Sequence, residues 1–216
     1  ECLVGSEMCI RDSYTTSVKI DLQFYKDIES FEDWQKISTT DPENYRLIAD
    51  IDFSNKVNVN TGVVFNRLEG TDGGHTLKNL EMNNNTTSVI FINNIEKNLA
   101  NVTFENITQS TTRSGDTIAG IIGYNYGNVS HVNFKDITIN ASAVSNVGCI
   151  SRNYGVEITD IQLSGIEISG NSQVGGLIGI TEDGILTQVN LENITINGNN
   201  SNICLLYTSP SPRDTR

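Results

Sequence analysis

The chain has 216 residues, of which 26 are acidic and 14 basic, so its net charge is −12. Such an acidic chain is a poor partner for nucleic acid or for an anionic membrane surface. No apolar run approaches the ~20 residues that span a bilayer, so we expect no membrane insertion. Asn is abundant while Ala, Lys and Pro are sparse, a composition that favours strands and turns over helices.

The two ends of the chain resemble a translated sequencing adapter. Residues 2–13 read CLVGSEMCIRDS and residues 204–214 read CLLYTSPSPRD. One DNA sequence, read in opposite orientations and in shifted frames, encodes EMCIRD in the first and LLYTS in the second. We therefore expect 1–13 and 204–216 to be adapter-like scars that pack poorly and add no regular coil to the fold.

The cysteines belong mainly to these ends. Cys2, Cys9 and Cys204 lie in the adapter-like segments, and only Cys149 lies between them. A single cysteine supports neither a disulfide framework nor a cysteine metal site. We expect no metal and no cofactor.

The first predicted element is a short helix over about 30–39. Ser30 followed three positions later by an acidic residue fits a helix N-cap. Phe31, Trp34 and Ile37 then share one helical face, which indicates an amphipathic helix.

The helix should end by Pro42, because the residue before a proline avoids the helical region. A first strand is predicted over 45–53. Together, residues 14–60 are interpreted as an N-terminal cap, since the exposed edge of a stack of coils needs one. This structural role is favoured over a functional role for Trp34.

Four later stretches repeat one pattern. They span 88–109, 118–139, 147–168 and 174–196. The apolar residues that close their second runs are 30, 29 and 28 positions apart, and they are Phe104, Phe134, Leu163 and Leu191. A period in this range, filled with short strand-like runs, is typical of a solenoid. We expect these four side chains to stack in one buried column, with neighbouring Cα atoms about 5 Å apart.

Each repeat contains three apolar runs. The first is short and glycine-rich, and the second alternates. The third has a period of two at Ile137/Ile139, Ile166/Ile168 and Ile194/Ile196, and we assign Ile137, Ile166 and Ile194 to the core. Parallel pairing with right-handed connections follows from the usual crossover rule. The predicted fold is all-β, a right-handed parallel β-helix over 61–203.

A polar position separates the second and third runs. It is occupied by Asn106, Asp136, Gly165 and Asn193, residue types that tolerate the left-handed backbone region. We expect a stacked ladder at a corner of the coil. The alternative is a calcium or sugar site, although the Gly/Asp-rich calcium nonapeptide of other β-solenoids is absent.

The glycine-rich runs resemble a known bacterial repeat. VGGLIG (174–179) is similar to the core of the GLUG repeat, and IAGIIG (118–123) and NVGCIS (146–151) look like degenerate copies. Upstream, FEDWQKI and GGHTLKNL resemble the segment that precedes these repeats in large surface proteins of Gram-positive bacteria. The chain looks most like the β-helical region that lies N-terminal to the catalytic domain of IgA1-protease-type zinc metallopeptidases. One departure is 149–152, CISR, where either the coil bulges or the side chains point outward.

The resemblance implies a segment of a bacterial surface or secreted protein, extracellular or attached to the cell wall. A zinc-peptidase motif would need His residues in an H-E-x-x-H helix, and neither His75 nor His131 fits one. His131 is expected in an alternating strand, facing away from Val132.

The enzymatic alternative is a polysaccharide lyase or a glycoside hydrolase, which needs paired carboxylates or acidic calcium ligands. The alignment places Asp160 beside His131 and Gln188, and Glu167 beside threonines, so no acidic row forms. Asp50 and Asp52 share a strand face, which an exposed strand explains.

The sequence therefore favours a non-catalytic β-solenoid that serves as a spacer or as a surface for adhesion and substrate docking. We expect the chain itself to be monomeric. An exposed aromatic patch would distinguish a binding surface from a spacer, and the candidates are Tyr124, Tyr126 and Tyr154. The expected partner is a host glycoprotein or glycan.

Overall fold

The chain folds as a stack of parallel strands. The structure, a computed structural model, is nearly all β and forms a β-solenoid of about five turns. This confirms the parallel β-helix expected from the sequence. The structure describes residues 24–83, 89–114, 118–154, 157–182, 184–200 and 202–206. Residues 1–13, and 207–216 of the other adapter-like end, lie outside these segments.

Fifteen strands and one short helix form the described part of the chain. The elements that precede the repeats are β1 (Lys26–Ile28), α1 (Phe31–Trp34), β2 (Glu43–Leu47), β3 (Ile51–Asp52), β4 (Val63–Gly70) and β5 (His75–Asn83). The elements of the repeats are β6 (Val89–Ser110), β7 (Ala119–Asn125), β8 (Asn128–Asn140), β9 (Ser145–Val147), β10 (Ile150–Asn153), β11 (Glu157–Gly170), β12 (Ser172–Gly175), β13 (Ile178–Thr181), β14 (Ile185–Gly198) and β15 (Ile203–Cys204).

The strands stack in register, and every pairing between described strands is parallel. The apolar residues that close the second runs lie opposite one another from coil to coil. This column begins two coils before the repeats and comprises Ile51, Leu77, Phe104, Phe134, Leu163 and Leu191. Stacked in this way, the inward side chains of each coil cover those of the next and form one continuous core.

The apolar side chains of the last coil are less buried than those of the coil before it. Leu163 and Ile166 are each 1% exposed, whereas Leu191 and Ile194 are only half-buried. The expectation that Leu191 and Ile194 belong to the buried core is therefore wrong. The reason is geometric: β14 covers β11, but no described strand covers β14.

The N-terminal helix is shorter than the predicted 30–39. It spans Phe31–Trp34, with Ser30 as its N-cap. A tight turn follows the helix, in which Ile37 N donates to Trp34 O, three residues earlier, at 3.2 Å. Beyond that point Ser38 O accepts from Val64 N at 3.0 Å. The backbone there therefore pairs with the first coil instead of continuing the helix.

The predicted strand over 45–53 is divided into β2 and β3. Ile48 N donates to Ile28 O, and Thr71 N donates to Leu47 O, so the chain turns a corner between the two strands. Because β2 pairs with both β1 and β4, the stack already begins within the segment that the sequence assigns to the cap.

Three corners of the coil use left-handed residues that stack from coil to coil. The predicted ladder is one of them: Asn106, Asp136 and Asn193 have φ angles of 51°, 52° and 53°. A second corner stacks Asn101, His131, Asp160 and Gln188, and a third stacks Asn146, Gln173 and Asn202. The uninterrupted alternation expected around His131 is thus broken, because its φ of 53° bends the strand.

The C-terminal adapter-like segment joins the fold at its start. Ile203–Cys204 forms β15, which pairs with β12. The carbonyl oxygens of Leu205 and Leu206 accept hydrogen bonds from Gly176 N and Leu177 N at 3.1 and 3.0 Å. The expectation that residues from 204 onward add nothing is therefore wrong for 204–206, whose backbone satisfies groups of the coil below.

The departure at 149–152 is a break in the strand. β9 ends at Val147 and β10 begins at Ile150, and the same break separates β12 from β13 in the next coil. Cys149, Ile150 and Ser151 are all fully buried, which excludes outward side chains at these three positions. Burial raises the pKa of the Cys149 thiol, as expected for a structural cysteine in an apolar core.

Candidate functional site

Three tyrosines meet on one side of the solenoid. The rings of Tyr124, Tyr126 and Tyr154, here called the tyrosine cluster, lie nearly parallel, with angles of 7° to 19° between their planes. Their centroids are 5.0 Å apart for Tyr126 and Tyr154, and 6.3 and 6.5 Å apart for the two pairs with Tyr124. The sequence placed these residues in neighbouring loops, and the structure brings all three together.

Stacking of the coils produces this arrangement. Tyr124 lies near the end of β7, and Tyr126 follows it across one residue. Tyr154 lies one coil further on, where its N–H donates to Asn125 O at 3.0 Å. Tyr126 N donates in turn to Ile95 O at 2.9 Å, so the backbones of Tyr126 and Tyr154 are each fixed to the coil below.

A buried ladder of side chains supports the cluster from inside. Asn125 Nδ2 donates to Asn153 Oδ1 at 2.8 Å, and Asn153 Nδ2 donates to Thr181 Oγ1 at 3.2 Å. Asn125 Nδ2 also donates to Gly127 O at 2.8 Å, which closes the turn that carries Tyr126. Buried amides in a satisfied network are rigid because breaking one bond leaves a desolvated polar group.

Sequence reasoning missed this ladder, although a signal was present. The dipeptide Asn-Tyr recurs at 125–126 and 153–154, directly after the first run of two consecutive repeats. Aligned repeats place the two asparagines in one column and the two tyrosines in the next.

The cluster presents a partly exposed, mixed surface. Tyr126 is 42% exposed, and Tyr124 and Tyr154 are half-buried. Arg152 pairs with Tyr124 in register and is also half-buried. Its Nε atom is buried with no hydrogen-bond partner among the described residues. Burial, followed by the nearby Tyr154 and Glu96, raises the pKa of Tyr126.

The two histidines each lie beside a carboxylate at a corner. His131 Nε2 is 3.5 Å from Asp160 Oδ2, and His75 Nδ1 is 3.5 Å from Asp50 Oδ1. The His131 pair is largely exposed. Within the described segments, no three His, Cys, Asp or Glu side chains are grouped so that they could hold a metal ion.

Asp50, just before β3, and Asp52, at the end of β3, both have structural partners for their carboxylates. Asp52 Oδ1 accepts from Ser54 N at 2.8 Å and from Asn79 Nδ2 at 2.9 Å. Hydrogen bonds from the Ser54 and Asn79 side chains and from Ser54 N lower the pKa of Asp52 to about 2. Asp50 Oδ1 accepts from Thr76 N at 2.9 Å. A general acid needs a raised pKa, so the shift at Asp52 has the opposite sign.

The predicted corner ladder lines a shallow groove with threonines beside it. Asn106 Nδ2 donates to Asn79 Oδ1 at 2.7 Å, which links neighbouring coils. At Gly165 an added Cβ would lie 2.5 Å from Asp136 Oδ1, so the ladder is closely packed there. Stacking thus accounts for the amide of Asn106 and for the glycine at 165.

Comparisons with protein-family models, with curated proteins and with solved structures find no significant match to this chain. In the part of the chain that the structure describes, no helix has the length and apolar character needed to cross a membrane.

Fold and site together define the class of protein: a parallel β-helix that carries an aromatic cluster on a rigid corner.

Proposed function

We propose that this chain is a non-catalytic β-solenoid segment of a bacterial surface or secreted protein, and that its tyrosine cluster docks an extracellular glycan, free or carried by a host glycoprotein. The observation that carries the proposal is the set of three nearly parallel, partly exposed rings. The similarity of its glycine-rich runs to the GLUG repeat supports the extracellular setting.

The chemistry of the cluster suits recognition. The rings stack on one another, so the outer face and the edges of the stack are what can pack against the C–H groups of a sugar, while the hydroxyls can hydrogen-bond at the rim. Tyr and Arg are also the residue types that dominate binding energy at protein surfaces. Because Asn125 and Asn153 fix the backbone beneath the rings, little ordering entropy is lost on binding.

A direct test measures binding of mucin and of a glycan panel to the wild-type chain and to the double variant Tyr126→Ala/Tyr154→Ala. The expected result is at least a tenfold loss of affinity in the variant. Phe24→Ala is the matched control, since Phe24 is an 82% exposed aromatic residue outside the cluster, and it should leave binding unchanged.

Three outcomes would contradict the proposal. Equal binding by wild type and double variant, with unchanged circular dichroism, would show that the cluster is not the docking site. Product analysis after incubation with pectin-like polymers and mucin addresses the enzymatic alternative, a polysaccharide lyase or a glycoside hydrolase. Cleavage abolished by a single Asp→Asn change would replace a docking role with a catalytic one, and absence of any binding would favour a spacer.

A further inference from the structure

Arg152 lies next to the tyrosine cluster, on the outer face of the coil. The residues on either side of it in β10, Ser151 and Asn153, are buried, so the alternation of the strand turns Arg152 outward. Register places it beside Tyr124 in the coil below and beside Ile180 in the coil above. Neighbours in such a row are about 4.8 Å apart, so the guanidinium borders the cluster.

The positive charge of Arg152 is not neutralised by any described residue. Between residues 118 and 206 the only Lys and Arg residues are Lys135 and Arg152. Lys135 forms a salt bridge with Glu105. No described residue forms a salt bridge or a side-chain hydrogen bond with Arg152, and its Nε is buried. The side chain therefore carries part of the cost of desolvating a charge, which a bound anion would offset.

A polar groove also borders Arg152, at the third corner of the coil. Hydroxyl and amide side chains make up most of its lining, and they are Ser145, Asn146, Ser172, Gln173 and Asn202. The hydroxyl oxygens of Ser145 and Ser172 are hydrogen-bonded at 3.0 Å, so one of the two hydroxyls can still donate to a ligand. None of the described residues that line the groove is acidic, so the groove can bind sugar hydroxyl groups without repelling an anion.

The opposite charge lies at the other edge of the cluster. Glu96 is one coil below Tyr126, and its Oε1 accepts from Asn94 Nδ2 at 3.2 Å. Both charges act on Tyr126: burial and Glu96 raise the pKa of its hydroxyl, and Arg152 opposes this rise. An anionic ligand is therefore repelled from the lower edge of the cluster and attracted to the upper edge, where Arg152 and the groove lie.

We propose that the tyrosine cluster binds a carboxylated sugar, with the carboxylate on Arg152, the sugar ring against the cluster and the hydroxyl groups in the polar groove. This inference rests on the proposed docking role and adds the class of sugar to it. A guanidinium is suited to the task because it can donate two parallel hydrogen bonds to one carboxylate. The carboxylate comes either from a sialic acid of a glycoprotein or from a uronic acid of an acidic polysaccharide.

The test compares each acidic sugar with its methyl ester, which removes the charge and keeps the rest of the sugar. Binding of sialyllactose, of a hyaluronan tetrasaccharide and of the two esters to the full chain is measured by isothermal titration calorimetry. We expect at least one acid to bind wild type roughly tenfold more tightly than its ester, on the scale of a hydrogen bond to a charged group. The acid that shows this preference identifies the source of the carboxylate.

Variants separate the charge from the aromatic contacts. Arg152→Gln should bind the acid and the ester equally, and Arg152→Lys should keep part of the preference. Lys135→Gln is the matched control, because it removes the other positive charge of this segment, and it should keep the whole preference. Tyr126→Ala/Tyr154→Ala should weaken binding of both forms, since packing against the rings does not depend on the charge.

The possible failures are distinguishable. Equal binding of acid and ester by wild type overturns this inference and leaves the docking role intact, whereas a wild type that binds neither these sugars nor the wider glycan panel overturns both. A preference that persists in folded Arg152→Gln also overturns it. If Arg152→Gln does not fold, added salt decides with the wild-type chain: it should weaken binding of the acid and not of the ester, and equal responses overturn the inference.

Discussion

Several glycines of the repeats lie where two backbones nearly touch. A Cβ built on Gly120 would be 2.3 Å from Gly148 O, and one built on Gly175 would be 1.9 Å from Ile178 O. These contacts join the first run of one coil to the bend that follows it or to the next coil. The glycine-rich composition of that run is therefore required by space between backbones.

Replacing Gly120 by Ala should lower the free energy of unfolding by about 1–3 kcal/mol, as overpacking of a tight core does. The clash is with a backbone oxygen, which cannot move aside as a flexible side chain can. Urea unfolding followed by circular dichroism measures the loss, with Ser142→Ala at an exposed turn as the control. Equal stability of Gly120→Ala and the control would mean that the two neighbouring backbones can move apart at this position without a loss of stability.

The left-handed residues at the corners of the coil were only partly predictable from the sequence. The corner at Asn106, Asp136 and Asn193 was predictable, because these residue types favour left-handed backbone. The corner at Asn101, His131, Asp160 and Gln188 was missed although Asn and Asp favour this conformation, because the run was interpreted as a continuous alternating strand. Gln188 has no such preference, so the signal becomes clear only when the four aligned residues are read together.

At the scale of elements, the N-terminal cap owes its form to tertiary contacts. Local signals correctly place the N-cap at Ser30, but they extend the helix because Ile37 falls on the apolar face. The structure ends the helix at Trp34, whose indole Nε1 donates to Asn60 O at 2.8 Å. The helix is therefore shortened by hydrogen bonds to the loop and to the first coil, which are more favourable than another helical turn. These contacts are tertiary, so the local sequence pattern does not predict them.

The corner after β3 predicts a response to acid. Hydrogen bonds from Ser54 and Asn79 lower the pKa of Asp52 to about 2, against roughly 3.9 in an unfolded chain. A lowered folded-state pKa contributes stability that is present above about pH 4 and is lost as the pH falls toward 2.

Asp52→Asn should therefore be less stable than wild type at neutral pH and should lose less stability between pH 4 and pH 2. Thermal midpoints across this range measure the difference. Asp72→Asn, at an exposed turn, controls for the loss of one carboxylate. If the thermal midpoints of wild type and Asp52→Asn fall by the same amount between pH 4 and pH 2, the lowered pKa of Asp52 does not contribute to acid stability.

At the scale of the whole molecule, position along the stack sets the cost of a core mutation. Leu163 and Leu191 are identical residues in one column, but Leu163 is 1% exposed and Leu191 is half-buried in the last coil. Leu163→Ala should cost about 2–5 kcal/mol. Leu191→Ala should cost less than half as much, since its side chain leaves a smaller cavity.

Chemical denaturation followed by circular dichroism compares the two variants. Similar losses would mean that the last coil is as well covered as the interior. The comparison also measures how far stability declines toward the end of a stack in which each coil contacts only its neighbours.

The period of the repeats was sufficient to predict the fold and the register of four coils. It did not reveal the two earlier members of the column, Ile51 and Leu77, because the coils that carry them lack the glycine-rich run. The tyrosine cluster could be placed in neighbouring loops from the alignment. The parallel orientation of its rings and the amides beneath them depend on how coils stack.

The single tryptophan of the chain sits entirely within the aromatic group at the N-terminal end, in contact with Phe53 and Phe91. Its fluorescence therefore reports on that end alone, whereas the amide circular dichroism averages over all coils. If the stack melts from its C-terminal end, the dichroic signal changes first and the emission later. Two optical signals from the unmodified chain thus give the direction in which the solenoid comes apart.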